Sequence, residues 1–514
     1  MKRIAKHVSI ALVAITFGLT VQTSVFAERP NIVWIFTEDM NDWMGCYGDD
    51  TVPTPNIDAL AENGTRFDRA YMSAGVCSAT RSAIALGAMQ TSLGVHNHRS
   101  SRQRTPGDVI RLPEDVRTVY QTMRSGGYHV VNYGPKNDFN FLWPCRNEKE
   151  LAAVSTSRYG GSAYRPENTG ELLYDVNLNL WAPRDDKLPE LLRNRPKDKP
   201  FFLQLQLMGG KNSGHYQGAE ADNDTPPIVS GEKTVFTSPD DVEVMPYYPD
   251  IPSVRNEIAH HYDCIRQTDD EVGLIIETLK NHGLYENTVI FFWTDHGMKL
   301  PRHKQWLYEG GIRVPMIVVG PGVPAGTSRQ DLVSGIDITS TTLALAGVDQ
   351  PEHMEGGNIF ADDYGRDYVF SARDRCDFTI ERVRAVTGNR FKYIRNFKDD
   401  RPFMQPQYRD SIEFVIDIKE YYQSGKMNEV QSFMMSEVRV PEELYDLEND
   451  PDEIRNLAED PAYTDVLAEY RTVLEQWINQ TGDQGQVDES VDLLEGVLDQ
   501  WGDRAVNPEY DIAR

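Results

Sequence analysis

Two short apolar runs do most to limit what this chain can fold into. Asn31-Ile32-Val33-Trp34-Ile35-Phe36 and Thr288-Val289-Ile290-Phe291-Phe292-Trp293 are β-branched or aromatic along nearly their whole length, with no polar alternation. Such a strand is buried on both faces, as in a parallel sheet covered by helices. Each run ends in polar residues with ligand-type side chains, Thr37-Glu38-Asp39 and Thr294-Asp295-His296-Gly297. Open α/β sheets bind their ligands at the carboxyl ends of such strands. Residues 128–133, 201–208 and 313–319 read as further strands. Residues 56–63, 116–125 and 258–282 read as helices, the last stopped by Gly283.

The alternation predicts a doubly wound α/β domain over residues 28–360, a large mixed sheet sandwiched by helices. Beyond it, residues 383–386 and 391–394 flank Gly388-Asn389 as a β-hairpin, and 466–478 read as a helix. These predict a smaller C-terminal α+β domain over 361–514. Residues 140–200 are loop-rich, with Tyr159-Gly160-Gly161-Ser162 as a flexible point, and 212–250 read as a long polar surface excursion.

The first 27 residues read as a processing segment. Lys2, Arg3 and Lys6 precede an apolar stretch, and Ser24-Val25-Phe26-Ala27 offers a cleavage site, so a signal peptide is expected over 1–27. The apolar stretch is short for a membrane span, and no later stretch has that length, so no membrane anchor is expected. The mature protein is expected to be periplasmic or secreted. A formal charge of −27 argues against nucleic acid as a partner and demands a local basic site for any polyanionic substrate. The five cysteines are Cys46, Cys77, Cys145, Cys264 and Cys376. An odd count in an exported chain flags one special thiol, and the other four are two disulfides or free thiols.

Cys77-Ser78-Ala79-Thr80-Arg81-Ser82-Ala83-Ile84-Ala85-Leu86-Gly87 predicts a helix opened by the cysteine and capped by Gly87. Arg81 lies one turn on, facing the same way. A helix N-terminus favours anions, and the guanidinium adds a bidentate oxyanion binder. Taken alone, a cysteine opening a helix is more often a small buried residue. Glu38, Asp39, Asp295 and His296 are candidate metal ligands, and hard oxygen donors suit calcium or magnesium. One Asp-His pair is usually a loop cap, but two ligand-type pairs each ending a buried strand are harder to read so. Lys136 follows Gly134-Pro135, and Lys304 precedes Trp306-Leu307-Tyr308-Glu309-Gly310-Gly311-Ile312-Arg313-Val314-Pro315. Beside strand ends these lysines suit sulfate or phosphate oxygens. His96, His98, Arg99, Arg102 and Arg104, with Arg373 and Arg375, are either surface charge or a grip for a sulfated, uronic sugar.

In order along the chain, Thr37-Glu38-Asp39-Met40, the C-x-A-x-R pattern at Cys77, a strand followed by Lys136, Thr294-Asp295-His296-Gly297 and the Lys304 segment resemble type I sulfatases of the alkaline phosphatase superfamily. So do Glu443-Leu444-Tyr445-Asp446-Leu447, Asp450-Pro451 and Arg455-Asn456-Leu457. The similarity runs from about residue 30 to 480. It implies that Cys77 is oxidised to Cα-formylglycine (3-oxoalanine) by a formylglycine-generating enzyme before folding. It implies one divalent ion, calcium first and magnesium second, on Glu38, Asp39, Asp295, His296 and the modified Cys77. Arg81, Lys136 and Lys304 would hold the sulfate and the hydrated aldehyde. One hydroxyl of the hydrate would attack sulfur in line, the alcohol would leave, and sulfate elimination would restore the aldehyde.

The chain departs from the family pattern in places. Glu38 stands where an aspartate is usual, and Lys136-Asn137-Asp138 where Lys-x-His is frequent. A family histidine falls on Lys211, with His215 four residues later. Lys211 and then His215 are the candidate proton donors to the leaving group, a role that asks for a lysine pKa lowered toward neutrality. Asp138 either joins the acid–base work or orients a lysine. Two rival readings fit the same residues. One is a phosphodiesterase or phosphonate monoester hydrolase with the same nucleophile. The other is a sulfated-glycan binding protein with unmodified Cys77.

Overall fold

A computed structural model describes residues 29–98, 110–141, 143–144, 163–164, 173–178, 180–183, 187–212 and 237–514. The signal-peptide segment, Arg99, Arg102, Arg104, Cys145, Tyr159-Gly160-Gly161-Ser162 and His215 lie outside the described residues. The large sheet has nine strands. They are β1 (Asn31–Thr37), β2 (Gly64–Tyr71), β3 (His129–Tyr133), β4 (Val176–Leu178), β5 (Phe201–Gln206), β6 (Thr288–Thr294), β7 (Arg313–Val319), β8 (Thr327–Arg329) and β9 (Val333–Ser334). In space the order is β8-β2-β7-β6-β1-β5-β3-β4, with β9 also on β2. Only β7 runs against the rest, antiparallel to both β2 and β6.

The two apolar runs are β1 and β6, side by side and parallel, with every residue of both buried. Alternate side chains of β1 enter two different cores. Val33 and Ile35 pack on one face of the sheet, while Ile32, Trp34 and Phe36 pack on the other. Each such fully buried side chain contributes roughly 1.5–3 kcal/mol. The register pairs Thr37 with Thr294, so the polar tips of both strands emerge together.

Element ends differ from expectation for local reasons. The helix predicted from residue 116 begins at Val119, because Thr118 and Gln121 form a reciprocal capping box. The long helix spans Pro252–Asn281, starting six residues before the predicted Ile258 with proline in its first turn. Strand β2 was not expected, since Arg66, Asp68 and Arg69 interrupt its apolar residues. Part of the predicted surface excursion is in fact internal. Tyr247 and Tyr248 are buried, and the Tyr247 hydroxyl lies 3.2 Å from His303 Nε2.

A second, antiparallel sheet follows, with β10 (Val369–Arg373), β11 (Val383–Thr387), β12 (Phe391–Asn396) and β13 (Glu442–Asp446) in sequence order. Helix Thr464–Thr481 covers it through Leu467, Tyr470, Leu474 and Trp477. The Trp477 ring stacks on Phe370 at 4.9 Å. The last 30 or so residues return toward the large sheet, where Gln484 N donates to the Thr91 carbonyl. Cys46, Cys77, Cys264 and Cys376 are all free thiols, so no disulfide joins described residues. No helix among the described residues is long and apolar enough to cross a membrane.

Candidate active site

Four neighbouring parallel strands end on one edge of the sheet, and each delivers charged groups there. β1 leads into Glu38 and Asp39, β6 into Asp295 and His296, β3 into Lys136, and β5 into Lys211. Helix Cys77–Leu86 starts against them, closed by Gly87 in the left-handed conformation as expected (φ 62°). Two glycines permit this close approach. A Cβ on Gly210 would collide with the Asp39 carbonyl, and one on Gly297 with the Gly310 carbonyl.

Cys77 Sγ lies 3.1 Å from His296 Nε2, 3.5 Å from Lys211 Nζ and 3.6 Å from Lys304 Nζ. Arg81 ion-pairs with Glu38 and reaches Asp295 Oδ2 at 3.3 Å, with its guanidinium over the Phe36 ring. Lys136 Nζ is 2.5 Å from Glu38 Oε2 and 3.2 Å from Asp138 Oδ2. Lys211 ion-pairs with Glu38 and with Asp39 Oδ1 at 3.1 Å. Lys304 Nζ is 2.7 Å from Asp39 Oδ2. All of these side chains are buried except Lys211, which is partly exposed.

The electrostatics follow from this crowding. Burial raises the Asp295 carboxyl, but His296, Arg81 and Lys211 outweigh it and hold the group at about 2. Asp39 is likewise held well below the usual range by Lys211, Lys304, His296 and Lys136 against its burial. Burial pulls His296 down to about 4 despite the two aspartates, so its ring is neutral near pH 7. Its Nδ1–H donates to the Gly297 carbonyl at 2.9 Å, which leaves the Nε2 lone pair facing Cys77 and Asp39. Burial lowers Lys136 to about 8. Lys211 goes the other way from the acid role expected of it. Burial opposes its charge, but Asp39, Cys77 and Asp295 hold its ammonium well above the normal lysine value.

Ligand atoms of Asp39, Cys77, Asp295 and His296 lie within 4.8 Å of one another, and the Glu38 carboxylate joins them through Arg81. Ionised carboxylates and one correctly oriented neutral imidazole form a donor set that fits a hard divalent cation. A bound dication would add positive charge to Arg81, Lys136, Lys211 and Lys304, which suits an oxyanion.

The expected sugar grip is placed differently. Arg375 is buried and bidentate to Glu489 of the C-terminal segment. Arg373 is also buried, 4.4 Å over the Trp306 ring and 3.7 Å from Glu381. Both are internal groups rather than surface charges. His96 and His98 are half-buried, and His98 Nδ1 lies 3.1 Å from Asp377 Oδ1. Residues 302–305 hold a further surprise. Arg302 (φ 66°) and Gln305 (φ 76°) take left-handed backbone on either side of Lys304, as do Asp39, Asp138 and Asp377 nearby. Arg409 caps this loop by donating to the carbonyls of Lys299 and Lys304. No sequence signal marked Arg409, Asp377 or Tyr408.

Comparison with known proteins agrees with this geometry. The Sulfatase family model matches residues 30–348, and the model described as N-sulphoglucosamine sulphohydrolase, C-terminal, matches 296–440. An ulvan-active sulfatase of Formosa agariphila is 33% identical over 475 residues, covering 90% of this chain and 77% of that protein. Human N-sulphoglucosamine sulphohydrolase is 24% identical over 499 residues, covering 89% of this chain and 91% of that one. The structure of a 2-O GAG sulfatase superposes with a TM-score of 0.59 at 21% identity, covering 91% of this chain and 96% of that one. A phosphonate monoester hydrolase of Agrobacterium radiobacter shares the fold at a TM-score of 0.59 and 19% identity, covering 88% and 96%. With the cysteine, the acidic strand ends and the lysines gathered on one sheet edge, the chain belongs to the type I sulfatase family of the alkaline phosphatase superfamily and is a sulfuric ester hydrolase.

Proposed function

We propose that this enzyme removes sulfate from fragments of a sulfated polysaccharide, using an aldehyde made from Cys77 and one divalent cation. The observation that carries the reading is the contact of Cys77 Sγ with His296, Lys211 and Lys304 inside one buried charged cluster. Ulvan is the first substrate class to test, because an ulvan-active sulfatase is a third identical over nine-tenths of the chain. Cys77 presents the C-x-A-x-R segment for conversion to formylglycine by a modifying enzyme. The hydrated aldehyde supplies an oxygen nucleophile for sulfur. Glu38, Asp39, Asp295 and His296 hold the cation, calcium in first place, which supplies Lewis-acid polarisation of the sulfate oxygens.

The remaining work falls to the chain's own side chains. Lys136, Lys211 and Lys304 hold sulfate oxygens, and Arg81 fixes the Glu38 and Asp295 carboxylates that face them. Neutral His296, its Nδ1–H held by the Gly297 carbonyl, presents the Nε2 lone pair to the cation. The Lys211 and Lys304 ammoniums, held above the ordinary lysine value, stay charged and need no reorganisation as charge builds on the sulfate. Residues 1–27 carry the protein out of the cytoplasm.

The test is sulfate release from ulvan oligosaccharides, with mass spectrometry of the peptide ending at Arg81. Active enzyme should carry the aldehyde, and Cys77→Ala should fold but turn over nothing. Active enzyme with only the free thiol would remove the aldehyde from the mechanism. Faster turnover of a phosphate diester than of any sulfate ester would move the chain to the phosphonate hydrolase chemistry of its structural neighbour.

A further inference from the structure

We propose that His98, Asp377 and Tyr408 form the subsite that recognises the sugar bearing the sulfate. This rests on the saccharide reading above. Three distant segments meet here. The His98 and Tyr408 rings lie nearly parallel, 10° apart with centroids at 6.5 Å, and His98 Nδ1 is 3.1 Å from Asp377 Oδ1. A flat aromatic face beside an imidazole–carboxylate pair is the chemistry that binds a sugar ring, apolar C–H face against the ring and hydroxyls on the polar pair. Both rings are partly exposed, whereas the ion pairs of Arg373 and Arg375 are buried.

The cluster adjoins the reacting centre. Cys376, next to Asp377, packs against Val76 and Ala79, which flank Cys77 on its helix, and the Tyr408 ring packs on the same group. Gln305, which follows the sulfate-facing Lys304, donates from Nε2 to Cys376 Sγ at 3.3 Å. Sulfate at Cys77 and Lys304 would therefore place its sugar toward Asp377 and His98.

It is also rigidly built. Asp377 has left-handed backbone (φ 54°), a conformation uncommon outside glycine that aspartate tolerates better than most residues. Arg375 Nη1 donates to the Asp377 carbonyl at 2.6 Å, and Cys376 pairs with Thr379. His98 N donates to the Arg375 carbonyl at 2.8 Å, and Arg375 N donates to Asn97 Oδ1 at 3.0 Å. Glu489 then bridges Asn97 Nδ2 and the Arg375 guanidinium, so the C-terminal segment pins both walls of the subsite. Ligand atoms of His98, Cys376 and Asp377 are close enough to share a metal, but Arg373, Arg409 and Lys304 all bear on Cys376. That positive surrounding disfavours a cation and favours a neutral or anionic saccharide.

The experiment compares kcat/KM for ulvan oligosaccharides and for 4-nitrophenyl sulfate, which has no sugar, in wild type, His98→Ala, His98→Gln and Asp377→Asn, with thermal unfolding as the folding control. The saccharide-to-aryl ratio should fall about 30-fold or more in His98→Ala, chiefly through KM, and less in His98→Gln and Asp377→Asn, a loss of the size expected for removed binding contacts. Equal losses on both substrates in a folded variant would overturn the subsite, and so would an unchanged ratio. If His98→Ala does not fold, the same readings are taken from His98→Gln. Wild type that cleaves 4-nitrophenyl sulfate but no ulvan, heparin or chondroitin oligosaccharide would instead sink the saccharide reading on which the subsite stands.

Discussion

Lys211 shows how much a single side chain's neighbours matter. Its place after β5 suggested a proton donor, yet its ammonium sits against Glu38, Asp39 and the Cys77 sulfur, and these hold its charge firmly. A group that keeps its proton binds an anion well and gives up a proton poorly. Lys211→Ala should therefore reduce kcat/KM by about 10²-fold or more on a sugar sulfate and an aryl sulfate alike, typical of losing a preorganised charge partner. A loss confined to the sugar sulfate, whose alcohol is the poorer leaving group, would restore the acid role. Asp295→Ala should lose bound metal and turnover together, read by elemental analysis alongside activity. Retention of a full equivalent of metal in that variant would contradict the proposed ligand set.

At the scale of elements, what the sequence revealed was what is local. β1 and β6 were legible because an uninterrupted apolar run needs no partner to be recognised, and their acidic ends came with them. The opening of helix Cys77–Leu86 and its Gly87 stop were legible for the same reason. β2 was hidden by charges on its half-exposed face, and the loop carrying Lys304 by its dependence on Arg409, more than a hundred residues away. Close packing between elements was equally invisible, and Gly297 tests it. Its Cα faces the Gly310 carbonyl and comes near Asn41, so a methyl there must push the His296 loop off the Glu309–Ile312 turn. Gly297→Ala should cost roughly 1–3 kcal/mol of stability and weaken metal binding, as overpacking next to an obligate close contact does. Urea unfolding and metal titration measure both, and a variant with wild-type stability and metal affinity would show that the loop yields freely.

Across the whole molecule, the C-terminal segment ties the small sheet to the active-site side of the large one. Arg384 of β11 is fully buried, its guanidinium shared between Asp374 at the end of β10 and Asp483 of the C-terminal segment. Asp483 takes two of its bonds, while Asp374 accepts from Arg384 only through Oδ1, at 3.0 Å, and its buried Oδ2 has no hydrogen-bond partner among the described residues. Two carboxylates thus compete for one cation. Burial raises Asp374 to about 7, against the pull of Arg384 and Arg382 and with the push of Asp483, while Asp483 itself stays below the usual carboxylate range. An acid raised on folding binds its proton more tightly in the folded state. Its contribution to stability is complete below the unfolded value near 4 and is lost as pH rises through about 7. Asp374→Asn keeps the Oδ1 acceptor, cannot ionise, and so copies the protonated form. Its Tm relative to wild type should climb steadily between pH 5 and pH 7 and level off by pH 8, because the proton is lost from the unfolded chain near pH 4 and from the folded one near pH 7. Thermal unfolding of both proteins across that range is the measurement. Parallel curves would mean that Asp374 is ionised throughout and that Arg384 carries both carboxylates, in which case the link between the small sheet and the C-terminal segment is a three-charge network with no proton in it.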